Sequence, residues 1–149
     1  LGLHSTVTFG KFDVNVQMRG AFGQEVFNNT ALVYSTKSNA LQGKNFLRDA
    51  LTDPIDIREP AIYSSRWIEG ASYLRLQNVT AGYSFNLPGP PGAPRSARIY
   101  LSGDNLLLLT GYSGLDPEVH QEVGLASVGI DYLSYPRPRT VTAGAQLAF

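Results

Sequence analysis

The chain has 149 residues and no cysteine, and its twelve basic residues balance twelve acidic ones. These counts exclude a disulfide scaffold and a thiolate metal site, and they leave no excess positive charge of the kind that binds nucleic acid. Charged residues make up 16% of the chain, against about 25% in an average soluble domain, which favours a membrane or an interface. No apolar run reaches the roughly 20 residues of a spanning helix, so a membrane segment would have to be built from strands.

The N-terminal part of the chain predicts two strands joined by a tight turn. Residues 3–9 alternate between apolar and polar side chains, residues 10–11 interrupt the alternation, and it resumes over residues 12–27. A period of two indicates a half-buried β-strand. The polar side of the second strand carries Asp13 and Arg19, which suits either the solvated face of a sandwich or the aqueous lumen of a barrel.

Two long stretches of the chain lack this alternation. Residues 28–66 predict short helical turns and irregular chain, and residues 110–138 are rich in Gly, Tyr, Asp and Pro. Connections of this length are uncommon between the strands of a compact domain, and those that occur are generally functional.

A strand pattern returns at residues 65–69, and three longer strands are predicted between and after these stretches. Residues 72–85 alternate with a change of phase near residues 77–78, which predicts a β-bulge. A proline-rich connector, residues 87–94, leads to a strand over residues 97–109. The last strand, residues 139–149, has one apolar face and one face of small or uncharged polar side chains. A tilted strand of this length crosses an apolar band of about 25 Å.

The connections alternate in length along the chain. Those at residues 10–11 and 87–94 are short, and those at residues 28–66 and 110–138 are long. Outer-membrane barrels have short periplasmic turns and long extracellular loops. The pattern therefore predicts an all-β fold made of antiparallel strands of a large transmembrane β-barrel. The alternative is a soluble β-sandwich that binds carbohydrate on aromatic side chains, namely Trp67, Tyr73, Tyr112, Tyr132 and Tyr135.

No catalytic constellation is evident, so we expect a protein that is not an enzyme and that needs no cofactor. His4 and His120 have no second histidine at metal-ligand spacing. Ser113 has no visible base or oxyanion partner. Four carboxylates in the second long stretch also fit a calcium site, although a structural loop is the favoured interpretation; they are Asp116, Glu118, Glu122 and Asp131.

Three blocks of the sequence resemble one known family. The first is residues 71–83, ASYLRLQNVTAGY. The second joins residues 99–106, IYLSGDNL, to residues 112–119, YSGLDPEV. The third joins residues 129–132, GIDY, to residues 135–140, YPRPRT. In this order they are similar to the C-terminal end of the SusC/RagA family of TonB-linked outer-membrane transporters.

The resemblance implies that residues 1–149 are the last strands of a multi-pass β-barrel in the outer membrane. The plug domain, the TonB box and the earlier strands would then belong to a part of the protein outside this sequence. Such transporters import oligosaccharides or peptides, with energy relayed by TonB, and a SusD-like lipoprotein caps them. The implied partners are therefore outer-membrane lipid, this lipoprotein, TonB through the missing N-terminal part, and the substrate.

Site residues are expected in two places. Aromatic faces with carboxylates nearby recognise sugars and peptides, so we expect ligand or partner contact by Tyr112, Asp131, Tyr132 and Tyr135. Phe149 resembles the terminal aromatic residue that the barrel-assembly machinery recognises in outer-membrane proteins, and we expect it to act as an assembly signal.

Overall fold

The computed structural model describes residues 1–90, 95–119 and 129–148. The chain divides into two compact units. We call the first, Leu1–Ala21 with Tyr73–Leu109 and Arg137–Phe149, the sheet unit. We call the second, Phe22–Ser72 with Thr110–Pro136, the loop unit.

Strands dominate the described part of the chain, which confirms the all-β prediction. In chain order they are β1 (Gly2–Phe9), β2 (Phe12–Ala21), β3 (Glu25–Asn28), β4 (Ile68–Gly70), β5 (Tyr73–Asn86), β6 (Ser96–Thr110), β7 (Ile130–Asp131) and β8 (Thr140–Ala148). The helical elements are short: α1 (Asn29–Tyr34), α2 (Ser38–Leu41) and two 3₁₀ turns, Arg48–Leu51 and Ser65–Trp67. None of the helices in the described ranges is long and apolar enough to cross a membrane.

The sheet unit is one five-stranded sheet in the order β1-β2-β5-β6-β8. Its β1–β2, β2–β5 and β6–β8 pairs are antiparallel. Gly10 turns the chain between β1 and β2 with φ at +61°, a conformation that costs glycine little. The expected bulge is also present, because Gln17 pairs with Asn78 while its neighbour Met18 pairs with Leu76. One residue of β5 therefore lies outside the ladder at this point.

The short connections lie at one end of this sheet. Phe9 pairs with Phe12 beside the first turn, and the amide of Leu87 donates to the carbonyl of Arg95 across the proline-rich connector. At the other end of the sheet, Ala21 pairs with Tyr73. The first long connection begins after Ala21 and ends before Tyr73. The predicted segregation of short and long connections is confirmed for the sheet unit.

Each strand of the sheet presents an apolar face and a polar face. Residues that are paired across neighbouring strands lie on the same face of the sheet. The pairs Val14 with Ala81 and Leu101 with Ala143 lie on the apolar face. These side chains are not covered by the rest of the chain, since Leu101 is 55% exposed and Val141 is 67% exposed. A sandwich buries this face in its core, so the exposure favours a barrel wall that faces lipid.

Two expectations from the sequence were wrong in their boundaries. The second strand does not continue to Phe27, because β2 ends at Ala21 and the chain turns at Gly23, whose φ is +75°. The residues that follow form β3 in another sheet. Residues 65–69 are not one strand either, since they begin as a 3₁₀ turn. Apolar alternation does not reveal which sheet a strand joins, so these boundaries were not visible in the sequence.

The loop unit has its own three-stranded sheet, in the order β4-β3-β7. β3 pairs antiparallel with β4 and parallel with β7, with Asn28 opposite Asp131. A small hydrophobic core accompanies it, and its buried members are Val26, Ala71, Tyr112 and Val119. The two long stretches therefore fold on each other into a unit with a core.

Candidate functional site

An ion pair crosses three strands on the polar face of the sheet unit. Arg98 on β6 donates from Nε to Asp13 Oδ1 at 2.9 Å and from Nη2 to Oδ2 at 2.5 Å. Asp13 lies on β2, so the arginine reaches over β5. It passes over Gly82, where a Cβ would lie 2.4 Å from Nη2. The glycine thus leaves room for a bidentate charge pair.

Further polar side chains continue this face along β5 and β6. Asn78 Nδ2 donates to Ser102 Oγ at 3.0 Å and to Asp104 Oδ1 at 2.7 Å. The hydroxyls of Thr80 and Ser102 lie 2.8 Å apart. Such side chains are typical of the water-facing side of a barrel wall.

Aromatic rings gather on the apolar face near the short connections. The ring centroids of Phe12 and Tyr83 are 4.7 Å apart, and those of Tyr83 and Phe85 are 6.0 Å apart. Outer-membrane barrels carry girdles of aromatic residues at the two membrane interfaces. We expect this cluster to mark one interface.

Asn28 is the hydrogen-bonding centre of the loop unit. Its Oδ1 accepts from the amide of Ala31 at 2.8 Å and so caps α1. Its Nδ2 donates to Glu69 Oε1 at 2.9 Å and to Ser113 Oγ at 3.1 Å. Glu69 also accepts from the amide and the hydroxyl of Ser113, at 3.0 and 2.8 Å. One amide, 2% exposed, therefore links residues from both long stretches.

The sequence missed this centre. Asn28 directly precedes a helical turn, which is the usual position of an N-cap residue and a usable signal for Asn28 itself. Glu69 and Ser113 are 44 residues apart in the chain, and no local pattern links them.

Two of the expected contact residues meet inside the loop unit. The hydroxyl of Tyr112 donates to Asp131 Oδ2 at 2.7 Å, and the two residues are 6% and 4% exposed. Burial, together with the hydrogen bond to Asp131, raises the pKa of the Tyr112 hydroxyl well above its usual range. This burial favours a structural role for the pair over direct contact with a ligand.

We predict that the loop unit loosens at alkaline pH. A tyrosine in unfolded chain deprotonates near pH 10. Because folding raises the pKa of Tyr112, its stabilising contribution is complete below about pH 10 and is lost as the pH rises beyond that value. Limited proteolysis of the loop unit in the full-length protein at rising pH measures this loss.

Tyr112→Phe should remove that pH dependence and also weaken the unit at neutral pH. The change removes the hydroxyl that donates to the buried carboxylate oxygen Asp131 Oδ2, and a lost hydrogen bond to a charged group costs roughly 1.5 to 3 kcal/mol. Tyr63→Phe is the matched control, since Tyr63 is an exposed residue of the same unit. Equal proteolysis of the two variants would contradict the role of the Tyr112–Asp131 hydrogen bond.

The other two expected contact residues are accessible. Tyr132 is 37% exposed and Tyr135 is 90% exposed. Tyr135 lines an open groove of about 700 Å³ in the loop unit, and Asn28 and Ser113 are also among its lining residues. This volume lies within the roughly 300 to 1,000 Å³ of ligand sites. We call it the loop groove.

A second polar cluster connects distant parts of the first long stretch by hydrogen bonds. Asp53 accepts from Arg66 and from the amide of Ile55, and its own carbonyl accepts from Lys37 Nζ at 2.5 Å. The hydrogen bond from Arg66, followed by that from the amide of Ile55, lowers the pKa of the Asp53 carboxyl. The Arg66 guanidinium lies 4.8 Å from the centre of the Trp67 ring. One face of the Trp67 ring is therefore in contact with a cation and is not open to a sugar.

Three sequence expectations concern residues outside the described ranges, namely His120, Glu122 and Phe149. Among the residues that the structure describes, no three acidic or histidine side chains come together as metal ligands. Asp116 Oδ1 accepts from the amide of Glu118 at 3.0 Å, which closes a local turn in the YSGLDPEV block.

The chain is similar along its whole length to known receptors. No protein-family profile matches it. It is 32% identical to TonB-dependent receptor P3 of Formosa agariphila over 100% of the chain, and 28% identical to TonB-dependent receptor SusC of Bacteroides thetaiotaomicron over 100% of the chain. The chain spans 16% and 15% of the length of these relatives.

Solved structures agree with this similarity. The RagAB peptide importer in its open-open state superposes on 99% of the chain with a TM-score of 0.75 and 24% identity. The closed-closed state superposes on 93% of the chain with a TM-score of 0.72 and 26% identity. The chain covers 17% and 16% of those structures.

These similarities decide between the two folds that the sequence left open. The matched proteins are outer-membrane β-barrel receptors, and the sheet unit has the amphipathic strands of a barrel wall. The sandwich alternative is therefore set aside, and the relatives are receptors and transporters and not enzymes. The chain belongs to the SusC/RagA family of TonB-dependent receptors and is a segment of an outer-membrane β-barrel.

Proposed function

We propose that this chain is the C-terminal barrel segment of a transporter that imports oligosaccharides or peptides, with a SusD-like lipoprotein as its partner. The observation that carries the proposal is the similarity of the whole chain to TonB-dependent receptors. The amphipathic five-stranded sheet supports it, because the sheet has one face for lipid and one for water. RagAB is described as a peptide importer, and peptides are accordingly one of the two substrate classes proposed.

The proposed orientation follows from loop length. Short turns of outer-membrane barrels face the periplasm and long loops face outwards. The turn at Gly10 and the connector after Leu87 would then be periplasmic, and the long connections after β2 and β6 would be extracellular. In this orientation the loop groove is available to a substrate or to the lipoprotein.

The test measures uptake by cells that carry or lack the full-length parent protein. Labelled peptides and labelled oligosaccharides are supplied separately, with and without a protonophore. The protonophore removes the proton gradient, which is the source of the energy that TonB relays. We expect uptake of at least one class to depend on both the protein and the gradient. Uptake of both classes that is independent of the protein would overturn the proposal.

Tyr132 and Tyr135 are the residues that we propose for ligand or partner contact. Replacing both with alanine in the full-length protein should reduce uptake at unchanged surface abundance, because both side chains are exposed. Loss of one ligand-facing aromatic side chain typically costs about 2 kcal/mol or more of binding when it is a hot spot. Tyr63→Ala, another exposed tyrosine of the loop unit, is the control. A parallel fall of abundance and uptake would show that the two residues only support the loop.

The expectation that Phe149 is an assembly signal stays a prediction.

A further inference from the structure

The loop groove is lined by apolar side chains that the loop unit does not bury. Leu47, Leu115 and Leu133 all line the groove, and all three are exposed. Single exposed leucines are ordinary on a protein surface, whereas several that share one concavity are typical of a binding surface. The groove therefore offers aliphatic surface to a ligand.

The backbone of Leu133 is strained. Its φ is +53°, in the left-handed region that a residue with a bulky side chain rarely adopts. The amide of Leu133 donates to Thr30 Oγ1 at 2.8 Å, and the amide of Ser134 donates to Asp131 Oδ1 at 3.4 Å, so the surrounding structure maintains this turn. An exposed apolar side chain on a strained backbone adds little to folding, and strain of this kind is found at functional sites.

The polar groups of the groove are largely engaged within the protein. Asn28 and Ser113 are hydrogen-bonded to each other and to Glu69, and both carboxylate oxygens of Asp131 accept hydrogen bonds. A sugar brings many hydroxyl groups, and each one that leaves water without gaining a partner weakens binding. Of the lining residues, Tyr135 alone offers an aromatic face. These features favour a ligand with an apolar side chain over a sugar.

Two charged residues of the groove suit the same kind of ligand. Arg48 and Asp49 are adjacent, both are exposed and both line the groove. Arginine binds carboxylates and aspartate binds ammonium groups. A short peptide with free ends carries both groups, whereas an anionic sugar would be repelled by Asp49 and a neutral sugar would pair with neither charge.

We propose that the loop groove binds a peptide substrate through one apolar side chain of the peptide, which contacts Leu47, Leu115 and Leu133, with a charged group of the peptide at Arg48 or Asp49. The inference rests on the proposed transport function and narrows it, because it selects peptides over oligosaccharides and assigns a preference for apolar residues. Leu133 sets this preference, since its turn is held at the groove by Thr30.

The experiment measures binding to the full-length protein, purified from outer membranes in a mild detergent together with any lipoprotein that co-purifies. Isothermal titration calorimetry compares a pentapeptide of one leucine among glycines, the same peptide with serine in place of leucine, and a neutral glucose hexamer. Leu133→Asn removes the apolar side chain, and asparagine tolerates the left-handed backbone. Leu41→Asn is the matched control, because Leu41 is an exposed leucine of the same unit that does not line the groove.

We expect the wild type to bind the leucine peptide about tenfold more tightly than the serine peptide, the factor for partial burial of a leucine side chain. The hexamer should bind more weakly than the leucine peptide. Leu133→Asn should reduce the preference for leucine to about threefold or less, and Leu41→Asn should retain it. Arg48→Ala should weaken the binding of both peptides about threefold, as expected for an exposed ion pair, and leave their ratio unchanged.

Equal binding of the two peptides by the wild type, tighter binding of the hexamer, or an unchanged preference in Leu133→Asn would overturn the proposal. An unchanged preference with loss of the co-purifying lipoprotein would also reject it and would identify the groove as a lipoprotein contact. If Leu133→Asn does not assemble, Leu115→Asn decides by the same criterion. Gradient-dependent uptake without a leucine preference in binding would leave the transport proposal standing and reject this one.

Discussion

Leu101→Arg should strongly reduce the amount of full-length protein that assembles in the outer membrane. Leu101 lies within β6 on the apolar face, opposite Ala143. An arginine that faces lipid near the bilayer midplane costs about 2 to 4 kcal/mol, which is a large fraction of the net stability of a folded domain.

Thr142→Arg is the control for this change. Thr142 pairs with Ser102 on the neighbouring rung, on the polar face of the same sheet, and its side chain is exposed. An arginine there stays in water, so we expect near-normal assembly. Heat-dependent migration of the barrel on a denaturing gel and immunodetection in the outer-membrane fraction measure assembly. Equal assembly of the two arginine variants would contradict our assignment of the apolar face to lipid and the polar face to water.

Asn28→Ala should loosen the loop unit while the barrel still assembles. The change removes the cap of α1, worth about 1 kcal/mol. It also removes the amide donor to the charged Glu69, and a hydrogen bond to a charged group contributes roughly 1.5 to 3 kcal/mol. Because Asn28 is buried and joins residues of both long stretches, both stretches should become sensitive to protease on intact cells.

The matched control is Asn45→Ala, since Asn45 is an exposed asparagine of the same stretch. We expect this variant to resist protease as well as the wild type does. Surface abundance of Asn28→Ala should remain close to normal. Uptake should decrease, because the loop unit is less ordered in this variant. Full protease resistance in Asn28→Ala would show that the hydrophobic core around Val26 and Ala71 suffices to hold the two stretches together.

Much of the sheet unit was predictable because its information is local. The alternation along β2, β5, β6 and β8 predicts which side chains share a face, and a phase change at residues 77–78 is visible without any partner strand. The bulge that pairs Met18 with Leu76 is at that position. Loop length predicted which strand ends lie together, because short turns join antiparallel neighbours.

Little of the loop unit was predictable, because its contacts join residues that are distant in the chain. The parallel pair between β3 and the two-residue β7 has no periodicity to reveal it. The sequence suggested Tyr112 and Asp131 as contact residues on the basis of residue type alone. Their burial depends on how the two stretches pack, and it favours a hydrogen-bonded structural pair.

By itself, the sequence determined the strand faces, the bulge, the order of short and long connections, and the resemblance to TonB-linked transporters. Tertiary structure alone decided that β2 ends at Ala21, that Asn28 links Glu69 to Ser113, and that Arg98 reaches over Gly82 to Asp13. The reason is physical. A strand's face follows from a period of two along the chain, whereas a long-range hydrogen bond depends on the register between segments, which side-chain packing fixes only when the chain folds.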